Sequence, residues 1–135
     1  MTDIDKIAWI HLVDGRVLST RSKGKDAYYF PGGKREAGES DLETLVREVR
    51  EELDVVIDPG SAELFGVFTA QAHGHAAGRQ VRMTCYTAAY TGELRASSEI
   101  EEIAWLTYAD RDRVSPVDQL IFDRLWPAGE QPVSA

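Results

Sequence analysis

The stretch GKREAGESDLETLVREVREELDV, residues 33–55, decides how the rest of the chain is read. Its second half is a helix. Ser40 with Glu43 three residues on makes a capping box, so the helix begins near Asp41. Leu42, Leu45, Val46, Val49 and Leu53 recur at helical spacing and form one apolar stripe. Asp54 falls near the C-cap, and Val55–Ile57 returns to strand character.

The polar side of this helix is unusual. With about 100° of rotation per residue, Glu52 lies about 40° to one side of Glu48 and Glu51 about 60° to the other. The three carboxylates share a face. The apolar stripe is centred roughly 115° from Glu48 on the Glu52 side, so Glu52 belongs at the edge of the core and Glu51 farthest out. Glu48 repels both neighbours at i,i+3 and i,i+4, at about 0.2–0.5 kcal/mol each. Arg47 offsets part of this through Glu51. Clustered hard oxygens are what Mg²⁺ or Mn²⁺ takes. A solvated acidic face is the plain alternative.

Upstream, Phe30-Pro31-Gly32-Gly33-Lys34 reads as a tight turn that stops a short aromatic run, Ala27–Phe30, and leads towards the helix. Adjacent glycines permit close approach of a ligand to the backbone. Lys34 is a candidate phosphate contact. Further out, Ile7–Val13 and Arg16–Thr20 flank Asp14-Gly15 and read as an antiparallel hairpin. Glu63–Ala70 and Gln80–Tyr90 read as longer strands, joined by Gln71–Arg79, and Ile103–Thr107 as a short one. Pro116 starts a last helix with Val117, Leu120, Ile121, Leu125 and Trp126 as its apolar face. Trp9 and Trp105 are assigned to packing. Mixed strands and helices predict an α/β (α+β) fold with helices on the faces of a mixed sheet. We read residues 1–126 as a single domain and 127–135 as a flexible tail.

Together these residues resemble the Nudix box: Gly33, Glu39, Arg47, Glu48, Val49, Glu51, Glu52 and Val55 match its pattern. The one departure is Asp54, where the family has a glycine that we take as a left-handed cap. The resemblance implies a Nudix-type α/β/α sandwich and metal-dependent hydrolysis of a phosphoanhydride bond in a nucleoside triphosphate or nucleoside diphosphate derivative. It implies Glu48, Glu51, Glu52 and the Gly33 carbonyl as ligands of Mg²⁺ or Mn²⁺, with Glu39 and Arg47 bracing loop against helix. Relatives often add a carboxylate from outside the box. Glu99 and Glu102 are the candidates, against a plain solvated loop. Phe30–Lys34 resembles the MutT-type branch, but that branch has a base-reading asparagine where Ser115 falls here. A nucleotide-sugar or ADP-ribose hydrolase and a non-catalytic nucleotide sensor remain the alternatives.

Gly32, Lys34, Arg21 and Tyr28 are further substrate-binding candidates, although surface cations and core aromatics usually have no such role. His73 and His75 flank Gly74 in a loop, where histidines are more often idle. The 135 residues carry a formal net charge of −8, which disfavours a nucleic-acid duplex or an anionic membrane as partner. No run reaches the roughly 20 apolar residues of a membrane span. The single cysteine, Cys85, cannot form an internal disulfide. A cytoplasmic monomer or homodimer acting on a small nucleotide-like molecule is expected.

Overall fold

The computed structural model describes residues 3–72 and 78–127; His73, His75 and nearly all of the predicted tail lie outside them. The central sheet is built from β1 (Ile4–Trp9), β4 (Gly32–Lys34), β6 (Glu63–Gln71) and β7 (Gln80–Thr87). Their order is β4-β1-β7-β6, with β1 and β7 parallel and both outer pairs antiparallel. A second sheet joins β2 (Leu12–Val13), β3 (Arg16–Ser22) and β9 (Ile100–Leu106), and β5 (Val56–Ile57) pairs with β8 (Tyr90–Thr91).

Strand alternation sends the residues of β1 to two cores. Ile7 and Trp9 pack with Leu45, Val49 and Leu53 of α1 (Asp41–Leu53). Ile4 and Ala8 pack with Val117, Ile121 and Phe122 of α2 (Pro116–Leu125). Helices thus cover both faces of a mixed sheet, as the sequence predicts. Burying each of Leu45, Val49 and Leu53 stabilises this arrangement by about 1.5–3 kcal/mol relative to exposure.

The ends of α1 are held as its sequence implies. The Glu43 N–H donates to Ser40 Oγ at 3.1 Å, and the Ser40 N–H donates to Glu43 Oε1 at 2.9 Å. Asp54 caps the other end in the left-handed region, at φ 59° and ψ 34°.

Several boundaries differ from the sequence reading. Ile7–Val13 is not one strand. The Ile10 N–H donates to the Tyr86 carbonyl, whereas the His11 carbonyl accepts from the Leu18 N–H, so the chain changes sheets between residues 10 and 11. Only Leu12–Val13 forms the hairpin with β3, around Asp14 and Gly15, both at positive φ. The aromatic run pairs only at Tyr28 and Tyr29 and breaks before Pro31, but Gly32 and Gly33 are not a turn: they begin β4 and pair with Ala8 and Ile7. Gln80–Tyr90 ends at Thr87, because Tyr90 and Thr91 turn to pair with Ile57 and Val56. On α2, Leu120 is 40% exposed, while Asp118 and Phe122 are buried in its place.

Candidate active site

The short strand β4 and the helix α1 meet at two glycines. The Gly32 N–H donates to Glu52 Oε1 at 3.0 Å. Gly32 has φ 143°, and a Cβ there would lie 2.0 Å from the Ile7 carbonyl oxygen. A Cβ on Gly33 would lie 2.4 Å from Cδ and 2.5 Å from Oε1 of Glu48. The first glycine therefore admits β1, and the second admits the Glu48 carboxylate.

Arg47 binds the loop to the helix. Its Nε donates to Glu39 Oε2 at 2.7 Å, Nη2 to Glu39 Oε1 at 3.0 Å and to the Lys34 carbonyl at 3.1 Å, and Nη1 to Glu48 Oε1 at 3.0 Å. Glu39 also accepts from Thr44 Oγ1 and the Glu36 N–H. The Arg47 guanidinium, with these donors, holds the Glu39 carboxyl down at about 2. Arg35 fixes the loop from its other side, through Asp5 at 2.9 Å and Asp41 at 2.5 Å.

The glutamates differ in setting. Glu51 has 55% of its side chain exposed and Glu48 only 18%. Burial pushes the Glu48 carboxyl up, and it pushes Glu52 up to about 8. Two partly buried carboxylates that repel each other, with no lysine or arginine paired to Glu52 among the described residues, make a site whose charge a hard cation would balance. The donor set fits Mg²⁺ or Mn²⁺. Among the described residues no ready-made cluster of three ligands stands open, because Glu52 rests on the Gly32 N–H and Glu48 on Arg47.

A cleft of about 320 Å³ adjoins this point. Gly32, Gly33, Lys34 and Glu52 line it, as do Ser115, Pro116 and Val117 at the start of α2. Ser115 Oγ and Asp118 Oδ1 are buried beside one another, with no other partner among the described residues. Asp118 is wholly buried; its Oδ2 accepts from the Phe30 N–H at 2.9 Å, and burial pushes its carboxyl up to about 7.

The structure does not bring Arg21, Tyr28 and Glu102 to this cleft. Glu102 Oε1 accepts from Arg21 Nε at 3.0 Å and from the Tyr28 hydroxyl at 2.9 Å, and Arg113 stacks on Tyr28. Their chain neighbours Thr20, Ser22 and Tyr29 line the cleft instead. One step along a strand reverses the face. Glu99 follows a loop laid over the end of α1, where the Ser97 N–H donates to the Glu52 carbonyl at 2.9 Å. Cys85 is buried, and burial raises its thiol.

The sequence reading singled out neither Lys6, which lines the cleft, nor the buried Asp118. A lysine inside the apolar run IDKIAWI, sharing alternation with Ile4 and Ala8, was the available signal for the first. The second had none, since Asp118 sits in an ordinary first helical turn.

Fold and site together define an α/β/α sandwich whose helix presents glutamates to a two-glycine strand. The chain belongs to the Nudix family: the sequence model of the NUDIX domain matches residues 5–125. It is similar to an RNA pyrophosphohydrolase of Halorhodospira halophila, with 49% identity over 53 residues, 39% of this chain and 28% of that one. An uncharacterized Nudix hydrolase of Bacillus subtilis is 33% identical over 95 residues, 68% of this chain and 58% of the relative. The chain thus spans less than two thirds of either relative. Among solved structures, the ORF135 protein of E. coli superposes with TM-score 0.72 at 26% identity, covering 91% of this chain and 88% of that one. A MutT NUDIX hydrolase from Burkholderia pseudomallei gives TM-score 0.74 at 22% identity, covering 91% and 98%; at that identity the likeness is one of fold. Among the described residues no helix is long and apolar enough to cross a membrane.

Proposed function

We propose that the chain hydrolyses a phosphoanhydride bond in a nucleoside triphosphate or a nucleoside diphosphate derivative, in the cytoplasm. The observation that carries this is the meeting of Glu48 and Glu52 with Gly33 and Gly32 beside a nucleoside-sized cleft. Glu48, Glu52, the more exposed Glu51 and the Gly33 carbonyl would hold Mg²⁺ or Mn²⁺. When bound, such an ion neutralises phosphate charge and acidifies an attacking water.

The chain's own residues do the rest. Arg47 fixes the Glu48 carboxylate and the end of β4 at Lys34. Lys34 lines the same cleft and serves the phosphates as a point charge. Apolar walls, with Phe30 and Met83 among them, take the nucleoside and exclude water. Glu99, beside the end of α1, is the outside carboxylate of this reading and takes the proton from the attacking water.

The test is a panel of substrates: ordinary and oxidised nucleoside triphosphates, ADP-ribose, nucleotide sugars, dinucleoside polyphosphates and 5′-triphosphorylated RNA, each with Mg²⁺, Mn²⁺ or EDTA. Turnover only with metal, and much faster on one substrate, supports the reading and names the branch. No metal-dependent turnover on any of them overturns it in favour of a nucleotide sensor.

A further inference from the structure

The cleft carries a charge opposite to that of the chain. Its lining includes three lysines, Lys6, Lys25 and Lys34, against a single carboxylate, Glu52, in a chain of formal net charge −8. The hydrolytic reading above employs Lys34 and leaves Lys6 and Lys25 without a task. Lys6 is the third residue of β1 and stands directly opposite Lys34 in the antiparallel pairing of β1 with β4. Side chains so paired share a face, with Cβ atoms about 4.5–5.5 Å apart, and like charges there weaken the pairing.

No group of the chain neutralises Lys6 directly. None of the ion pairs among the described residues includes it, and its Nζ lies 5.5 Å from the centre of the Tyr29 ring. Burial pushes the Lys6 ammonium below its ordinary value; Asp118 opposes this from within the fold, and Lys34 reinforces it. The Asp118 oxygens are engaged elsewhere, Oδ2 by the Phe30 N–H and Oδ1 beside Ser115 Oγ. The lysine pair also borders the glutamates. Lys34 follows Gly33, which faces the Glu48 carboxylate, and Glu52 rests on the Gly32 N–H. An anion seated between the two lysines is therefore a neighbour of the hydrolytic site.

We propose that Lys6 is a second phosphate-binding residue of the cleft, gripping one phosphate group of the bound nucleotide together with Lys34 from two adjacent strands. This rests on the nucleotide reading above. A phosphate offers acceptors on several sides, so one group satisfies both ammoniums and removes their repulsion. The grip makes the sheet, and not only the helix glutamates, part of substrate recognition, and it is indifferent to the base. Lys25 is exposed and lies outside the strand pair, so it contributes long-range attraction only.

The experiment is calorimetric binding of inorganic pyrophosphate, which has no base, to the full chain with Mg²⁺ and in EDTA. Wild type is expected to bind it in at least one condition. Lys6→Met is expected to weaken that binding about tenfold to a hundredfold, the scale of one hydrogen bond to a charged group. Lys25→Met costs less, within about fivefold. Added salt weakens binding more steeply in wild type than in Lys6→Met, which has one charged contact fewer to screen. Unchanged affinity in Lys6→Met overturns the proposal and makes Lys6 a base contact or an internal partner of Asp118. An equal loss in Lys6→Met and Lys25→Met overturns it in favour of general attraction. A loss with unaltered salt dependence marks a packing role and overturns it, as does no binding to wild type in either condition. Should Lys6→Met fail to fold, Lys6→Gln takes its place, with a loss again expected. Lys6-dependent binding of pyrophosphate with an inactive substrate panel would remove the hydrolase reading and leave the role of Lys6 intact. An active panel with Lys6-independent binding would do the reverse.

Discussion

The Gly32 N–H donates to Glu52 Oε1 across 3.0 Å, joining residues twenty positions apart. This contact holds a carboxylate in a place where burial opposes its charge. Glu52→Gln keeps the acceptor and removes the charge. Metal-dependent hydrolysis is expected to fall by about 10²–10³-fold, the scale for removing one charge-stabilising group. The thermal midpoint is expected to hold or rise, because the variant has no carboxylate to bury at this position. Assays in parallel with thermal melts check both halves, and full activity in the variant would contradict the metal assignment.

Glu39 gives a pH signature. Its carboxyl is held at about 2 in the fold against a usual 4.5. A depressed carboxyl contributes stability that is complete above its unfolded value and is lost as pH falls through the folded one. Glu39→Gln is therefore expected to destabilise the protein at neutral pH and to converge with wild type near about pH 2. Denaturant titrations across that range measure the gap, and a gap independent of pH would refute the linkage.

The two glycines are expected to fail differently. Gly33→Ala puts a methyl against the Glu48 carboxylate, a movable group. The fold survives, and metal affinity drops. Gly32→Ala drives a Cβ into the Ile7 carbonyl, which is backbone at the centre of the sheet. That variant is expected to lose the β1–β4 pairing and melt lower. Metal titration calorimetry and circular dichroism separate the two outcomes.

Asp54→Gly should stabilise. A side chain at φ 59° carries strain, about 1–2 kcal/mol for most residues and less for Asp. Glycine removes it but adds unfolded-state entropy worth about 0.4–1 kcal/mol. The expected gain is under about 1 kcal/mol in urea denaturation. A loss would show that Asp54 holds the helix end in some other way.

Glu99→Gln and Glu102→Gln test the outside carboxylate. Glu102 is engaged by Arg21 and Tyr28 on the face turned from the cleft. The drop in kcat is expected to be larger for Glu99→Gln, and single-turnover rates decide. The opposite ranking would return Glu102 to the chemistry.

What the sequence conveyed depended on how local each signal was. The capping box, the apolar stripe and the ordering of Glu51 and Glu52 by exposure are properties of one helix, and residues 40–54 contain all of them. The parallel pairing of β1 with β7 joins segments over seventy residues apart, and no spacing rule spans that gap. The change of sheet at Ile10 and His11 leaves the apolar run unbroken, so periodicity does not register it. Arg21, Tyr28 and Glu102 meet through the pairing of β3 with β9, which no local spacing reveals.

Asp118 holds the Phe30 N–H, two residues before the glycine pair. The chain thus closes its hydrolytic end with an anchor that lies near its far end in sequence. During synthesis, every residue of the box leaves the ribosome long before the one that fixes the approach to it. A nascent or truncated chain that ends before α2 carries the whole signature by which the family is known, yet lacks this anchor and the cleft wall at the start of α2. The signature alone is therefore no measure of whether a fragment can bind.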